Sequence, residues 1–219
     1  MSADWNALQG AIAGEVVLPG APGYELARKP AAPLLPGVRP LALVRCASAG
    51  DVAEVIALAR RHGLACAARS GGHCFAGRSS TGGIVIDVSP MRSVSVRGDA
   101  VAVGAGARLG EIYASLAEHA LTVPAGCGPT VGIAGLTLGG GLGILGRSRG
   151  LTCDNLRSAS VVLADGRCSR MGTPKAALEW HGSTLLRRTA GIVARAANGP
   201  VVVVRAPGQT CWSCLRPPL

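Results

Sequence analysis

Apolar residues in this chain fall into short blocks whose spacing separates strands from helices. Residues 41–46 (LALVRC) and 84–88 (IVIDV) are nearly continuous apolar stretches of strand length, and residues 64–69 (LACAAR) read as a third strand. Between the first and third of these, Val52, Val55, Ile56 and Ala59 recur at helical spacing. Ser48 with Asp51 three positions on is a start signal for that helix, and Gly63 ends it. Leu109, Ile112, Tyr113 and Leu116 mark a second helix in the same way. Residues 93–96 and 100–103 flank Gly98-Asp99 and predict a hairpin, and 161–164 reads as a closing strand. Residues 1–37, with prolines at 19, 22, 30, 33 and 36, read as a leader that wraps a domain rather than forming its core. Strands and helices mixed in this order give an α+β domain of two small lobes.

Two segments stand outside this pattern. Arg69-Ser70-Gly71-Gly72-His73 follows the third strand directly. Residues 124–155 (PAGCGPTVGIAGLTLGGGLGILGRSRGLTCDN) are dense in glycine and include the triple Gly139-Gly140-Gly141. Glycine allows close backbone approach to a ligand and positive φ, so that successive N–H groups can converge on an anion. Two such segments suggest a large nucleotide cofactor held mostly by backbone.

At these residues the chain resembles a family. RSGGH followed by Cys74-Phe75-Ala76-Gly77, then IVIDVSPM, PTVGIAGLTLGGGLG and GLTCDN, is similar to the PCMH-type FAD-binding domain of berberine-bridge-enzyme-like oxidases. The resemblance runs in order from about Trp5 to Arg167. It implies a two-lobed domain with FAD between the lobes and a covalent bond from His73 to the flavin 8α-methyl group. A neutral imidazole nitrogen suits that role. It further implies cofactor contacts from Ser70, Gly71, Gly72 and Gly77, then from Thr130, Val131, Gly132 and Gly135. Gly139, Gly140, Gly141, Gly143, Asp154 and Asn155 complete the expected set. Bicovalent members attach a second flavin position to a cysteine directly before Pro-Thr-Val. Here that position is Gly128 and Cys127 lies one residue earlier, so a single link at His73 is expected. Family members oxidise alcohol- or sugar-type donors with dioxygen, using a base, often tyrosine, from a later substrate domain. Neither that domain nor the final part of the FAD-binding domain is recognised, so the FAD-binding domain reads as incomplete and the catalytic base is unknown.

Composition adjusts this picture at the C-terminal end. The net charge is +10, yet residues 1–164 hold 14 basic and 10 acidic residues while 165–219 hold 8 and 2. The excess is concentrated in the last quarter. Few aromatics (3%) are available to stack on bases, and no nucleic-acid motif accompanies the charge. Eight cysteines without a secretory signal read as thiols, and Cys211-Trp-Ser-Cys214 lacks a second ligand pair for zinc. No metal is expected. No apolar run is long enough for a membrane span. A cytoplasmic location, a small-molecule substrate, and no nucleic-acid or membrane partner are the expectations; oligomeric state is unreadable.

From residue 161 the chain changes character. LADGRCSRMGTPKAALEWHGSTLLRR reads as strand, loop and helix, with a further strand at 201–204. It resembles the nucleotide-binding start of nucleotidyltransferases related to molybdenum-cofactor guanylyltransferase. That resemblance implies phosphate contacts from Gly166, Arg170 and Lys175, with Asp165 departing from the family's usual glycine. No acidic residue follows Gln209 to hold magnesium. The expected organisation is therefore a leader (1–37), an incomplete FAD-binding domain (38–164), a short strand-helix-strand α/β fragment (165–209) and an unassigned tail (210–219). An FAD-binding oxidoreductase leads the functional readings. The alternatives are a nucleotidyltransferase-like nucleotide-binding protein and a non-catalytic hybrid of the two.

Overall fold

The apolar blocks of the first half become a four-stranded sheet in the order β1-β2-β4-β3. The computed structural model describes residues 3–32, 37–163, 168–171, 179–180 and 183–184. Strand β2 (Ala42–Arg45) lies parallel to β4 (Ile84–Asp87), which is in turn parallel to β3 (Cys66–Arg69). Strand β1 (Glu15–Val17) closes the β2 edge antiparallel. The central strands read as continuous apolar runs because both faces of the sheet are covered. On one face Val44, Cys46, Ile84 and Ile86 pack with Leu8 and Ile12 from in and beyond α1 (Trp5–Ala11). Val55, Leu58 and Ala59 from α3 (Ala49–His62) join the same cluster. On the other face Leu43 and Val85 meet Val17 and Tyr24, the latter opening α2 (Tyr24–Ala27). The Tyr24 hydroxyl, buried with its ring, donates to the Pro40 carbonyl at 2.7 Å. The N-terminal stretch expected only to wrap the domain therefore also fills its core: Leu8, Ile12, Val17 and Tyr24 are all buried.

Helix α3 begins and ends where its sequence signals place it. Ser48 Oγ accepts from the Asp51 N–H at 3.1 Å, and Gly63 ends the helix at φ +62°. Asp51 is itself buried and gathers donors from two segments. Its carboxylate accepts from Ser48 Oγ (2.7 Å), Ala47 N (2.8 Å) and Ala13 N (3.3 Å). Burial pushes this carboxyl up, but the hydrogen bonds from Ser48, Ala47, Ala13 and Gly14 outweigh it and hold the group below the usual carboxylate range. A depressed folded-state pKa stabilises the fold at neutral pH and loses that contribution as pH falls through the folded value. Asp51→Asn is expected to cost about 1–3 kcal/mol at pH 7. It should also flatten the acid limb of a urea-denaturation series run from pH 7 to pH 3. An unchanged acid limb would show that Asp51 is not a source of the pH dependence.

The following segment folds as the sequence pattern predicts, shifted by one residue. Strands β5 (Val94–Arg97) and β6 (Ala100–Val103) pair antiparallel, with Arg97 opposite Ala100 across Gly98-Asp99. Gly98 takes φ +61°. Helix α4 (Leu109–Ala117) buries Leu109, Ile112 and Leu116, and its first turn is closed by Glu111, which accepts from Arg108 N at 3.0 Å. Residues 129–133 lie along that start: Leu109 N donates to Val131 O, Gly110 N to Pro129 O and Ile133 N to Ala107 O.

Beyond this come α5 (Ile133–Leu138), α6 (Gly146–Arg149) and a 3-10 turn at Thr152–Asn155. Strand β7 (Ala159–Val162), two residues ahead of its expected start, pairs with β8 (Cys168–Met171). Strands β9 (Glu179–Trp180) and β10 (Ser183–Thr184) pair antiparallel in a stretch expected to be helical. The strand-favouring Trp180 and Thr184 flank a glycine there, which weakens a helix. The described residues divide into two compact units. The first takes 3–32, 37–122, 128–136, 160–163 and 168–170; the second takes 123–127, 137–159, 171, 179–180 and 183–184.

Candidate cofactor site

Within the first unit the loop after β3 is held at its base and on both sides. At the base is Arg69, the last inward-facing residue of β3 and only 5% exposed. Its guanidinium donates to Ala27 O (2.7 Å), Arg28 O (3.3 Å), Ser79 O (3.0 Å) and Ser80 Oγ (2.9 Å). One side chain thus ties the end of α2 to the far end of the loop. Burial lowers its pKa while Asp87, its register partner on β4, pulls the other way. Ser70 Oγ donates to Ala105 O at 2.7 Å. The Gly72 carbonyl accepts from Ala32 N at 3.1 Å, and Gly72 takes φ +71°.

The expected cofactor glycines Gly71 and Gly132 meet each other. A Cβ on Gly71 would lie 2.3 Å from Gly132 N and 2.8 Å from Thr130 O. A Cβ on Gly132 would lie 2.3 Å from Gly71 N and 2.1 Å from Ser70 Oγ. The two backbones can approach this closely only because neither residue carries a side chain. His73 is half-buried beside them, and its Nε2 is 3.0 Å from Thr130 Oγ1. Between Ser70 and Gly77, the N–H groups of residues 71–76 have no intramolecular acceptor among the described residues, whereas Gly77 N returns to Cys74 O. A loop pinned at its base and sides thus carries, beside an imidazole, a run of backbone donors with no intramolecular acceptor among the described residues. Such a run suits an anionic group such as a pyrophosphate.

The expected residues separate between the two units. Ser70, Gly71, Gly72, His73, Gly77, Thr130, Val131, Gly132 and Gly135 belong to the first. Gly77 takes φ +70°, and Gly135 faces open space. Gly139, Gly140, Gly141, Gly143, Asp154 and Asn155 belong to the second. There Gly143 passes so close to Ala125 that a Cβ would sit 1.8 Å from its carbonyl oxygen. Thr152 Oγ1 donates to Pro124 O at 2.8 Å and to Gly141 O at 3.1 Å. Asp154 accepts from Leu151 N (2.8 Å), and Asn155 donates to Arg149 O (2.9 Å) and Leu151 O (2.8 Å). These polar side chains hold their own loop together. Gly166 and Lys175 lie outside the described residues, and Arg170 is described only through the backbone of β8.

Sequence reasoning missed what Arg69 and Ala105 do. Alternation along β3, which buries Ala67 and Arg69 and exposes Cys66 and Ala68, is the signal that would have placed the arginine inward. A separate cleft of about 460 Å³ is lined by Arg45, Ser89, Pro90, Arg92, Gly106, Arg108 and Glu111. Two of its three arginines are paired, Arg45 with Glu15 at 2.9 Å and Arg92 with Glu111 at 3.3 Å. Cys127 is exposed, whereas Cys46 is buried with its thiol pushed up to about 12. Among the described residues, no helix is long and apolar enough to cross a membrane.

The model of the family described as FAD binding domain matches residues 40–172, and that of the MobA-like NTP transferase domain matches residues 160–217. The chain is 41% identical over 160 residues to the uncharacterized FAD-linked oxidoreductase YvdP of Bacillus subtilis, covering 71% of this chain and 36% of that protein. It is 37% identical over 161 residues to (R)-6-hydroxynicotine oxidase of Paenarthrobacter nicotinovorans, covering 71% and 34%. Among solved structures, 6-hydroxy-D-nicotine oxidase from Arthrobacter nicotinovorans superposes with a TM-score of 0.71 at 35% identity, covering 74% of this chain and 36% of that one. Xylooligosaccharide oxidase from Myceliophthora thermophila superposes with a TM-score of 0.72 at 28% identity, covering 78% and 37%. The chain spans about a third of the length of these relatives.

Proposed function

The chain belongs to the FAD binding domain family of FAD-linked oxidoreductases, and from that premise we propose that it is a flavin-carrying portion of an oxidase, with FAD bonded to His73. The observation that carries this reading is the pinned loop with free N–H groups at residues 71–76, which sets His73 beside a ready anion cradle. In this reading the cradle takes the pyrophosphate. Gly71 and Gly132 keep the two backbones close, and His73 holds the ring end. Gly135, which faces open space, lets the chain pass near the cofactor. Bound FAD would supply the hydride acceptor. The donor is a small alcohol- or sugar-type molecule and the acceptor dioxygen. Similarity to a xylooligosaccharide oxidase supports the sugar-type donor of this reading.

A second reading concerns only residues 160–217, through their match to the MobA-like NTP transferase domain. There Gly166, Arg170 and Lys175 would meet nucleotide phosphates, making the chain a hybrid of two nucleotide-binding segments.

The test is a flavin assay on the purified chain, supplied with excess FAD. Acid precipitation should leave the yellow colour in the pellet. His73→Ala should release all of it to the supernatant while keeping the melting temperature within about 2 °C, because the loop's other anchors remain. Wild-type protein that stays colourless would refute the oxidoreductase reading of this chain.

A further inference from the structure

Among the described residues the His73 ring has one hydrogen-bond partner, Thr130, at 3.0 Å between Oγ1 and Nε2. Neither partner sits on a free segment. His73 follows Gly72, whose carbonyl is bonded by Ala32 N, and Gly71, whose backbone is locked against Gly132. Thr130 lies between Pro129 and Val131, whose carbonyls accept from Gly110 N (2.9 Å) and Leu109 N (3.0 Å). Two tied backbones therefore deliver an imidazole and a hydroxyl to the same point. Thr130 is itself exposed, so burial does not account for the contact. An imidazole that must form a bond needs one nitrogen with a free lone pair and the ring aimed, and a partner on the other nitrogen sets both.

Resting on the reading of His73 as the flavin attachment point, we propose that Thr130 is a positioning residue for that attachment. Its Oγ1 accepts the Nε2–H hydrogen bond and holds the tautomer whose lone pair lies on Nδ1, the nitrogen left to bond the flavin. In the step one N–C bond forms at the 8α carbon. One proton leaves that carbon and one leaves the imidazole, through the nitrogen that Thr130 engages. The two electrons remain on the flavin until dioxygen takes them, with two protons, as hydrogen peroxide.

The experiment follows attachment and binding separately on the full chain. Apoprotein is mixed with FAD. Covalent flavin is read over time as fluorescence in a denaturing gel, and total bound flavin by absorbance after desalting. Thr130→Val keeps the shape and removes the acceptor, whereas Thr130→Ser keeps it. At saturating FAD, Thr130→Val should attach the flavin it binds about 10–100-fold more slowly, the range seen when an orienting partner of an imidazole is lost. Thr130→Ser should recover most of the wild-type rate. Equal rates for wild type and Thr130→Val would overturn the proposal. So would a Thr130→Ser variant as slow as Thr130→Val, or a Thr130→Val variant that no longer binds flavin at all. A wild-type chain that binds FAD without ever attaching it would instead overturn the reading of His73, and this inference with it.

Discussion

Gly132→Ala is expected to destabilise the first unit by at least about 3 kcal/mol and to abolish flavin loading. The added methyl would lie 2.3 Å from Gly71 N and 2.1 Å from Ser70 Oγ. A flexible side chain could swing away from such an intrusion, but a backbone nitrogen cannot. Ser70 is tied to Ala105 O and Gly72 to Ala32 N, so the Gly71 segment has no slack with which to retreat. Gly71→Ala should behave alike, since its methyl meets Gly132 N at 2.3 Å and Thr130 O at 2.8 Å. Because both substitutions act on one contact, they should not add. Once the first methyl has parted the two backbones, the second has room, and the double variant should lose clearly less than the sum. Gly10→Ala is the control: it lies in α1 with nothing within 4 Å of where its Cβ would sit, and should be neutral or gain up to about 1 kcal/mol. Urea denaturation of the four variants decides the matter. A Gly132→Ala protein as stable as Gly10→Ala would mean that the two loops do not meet in solution.

This contact also explains which parts of the site were legible in the sequence. Strand and helix positions could be read because each obeys a local rule. Residues 84–86 are an unbroken apolar run since both faces of β4 are covered, and Ser48 with Asp51 carries the start of α3 within three residues. The Gly-rich segments could be read as places where backbone comes close to something. What each glycine comes close to depends on residues about 60 positions apart, as Gly71 and Gly132 show, and no local pattern encodes that partner. Asp154 and Asn155 illustrate the same limit. Polar side chains after a glycine stretch look like ligand contacts, yet here they bond to Leu151 and Arg149 of their own loop. The N-terminal residues were misjudged for a different reason. Prolines at 19, 22 and 30 do interrupt regular structure, but Leu8, Ile12 and Val17 precede them, Tyr24 lies between two of them, and all four pack inward.

Arg69→Met should cost about 3 kcal/mol or more, lowering the melting temperature by roughly 6–12 °C. The methionine fills much of the same volume, so the loss comes from unpaired polar groups rather than a cavity. The carbonyls of Ala27, Arg28 and Ser79 and the Ser80 hydroxyl all lose a charged donor that had gathered them. Arg69→Lys keeps the charge but replaces a planar fork with a single ammonium, which cannot reach acceptors on both sides of the loop. It should restore less than half of the lost stability. Flavin loading should fall with stability in both variants, because the free N–H groups of residues 71–76 stay aligned only while both ends of their loop are fixed. His73→Ala provides the opposite case, in which the covalent bond is lost and stability is kept. Measuring melting temperature and covalent flavin on all three variants therefore separates the group that shapes the loop from the group that reacts. An Arg69→Met protein that melts within 1 °C of wild type and attaches flavin normally would show that the loop holds its shape without the arginine. The cradle would then have to be maintained by Ser70, Gly72 and the Gly71–Gly132 contact alone.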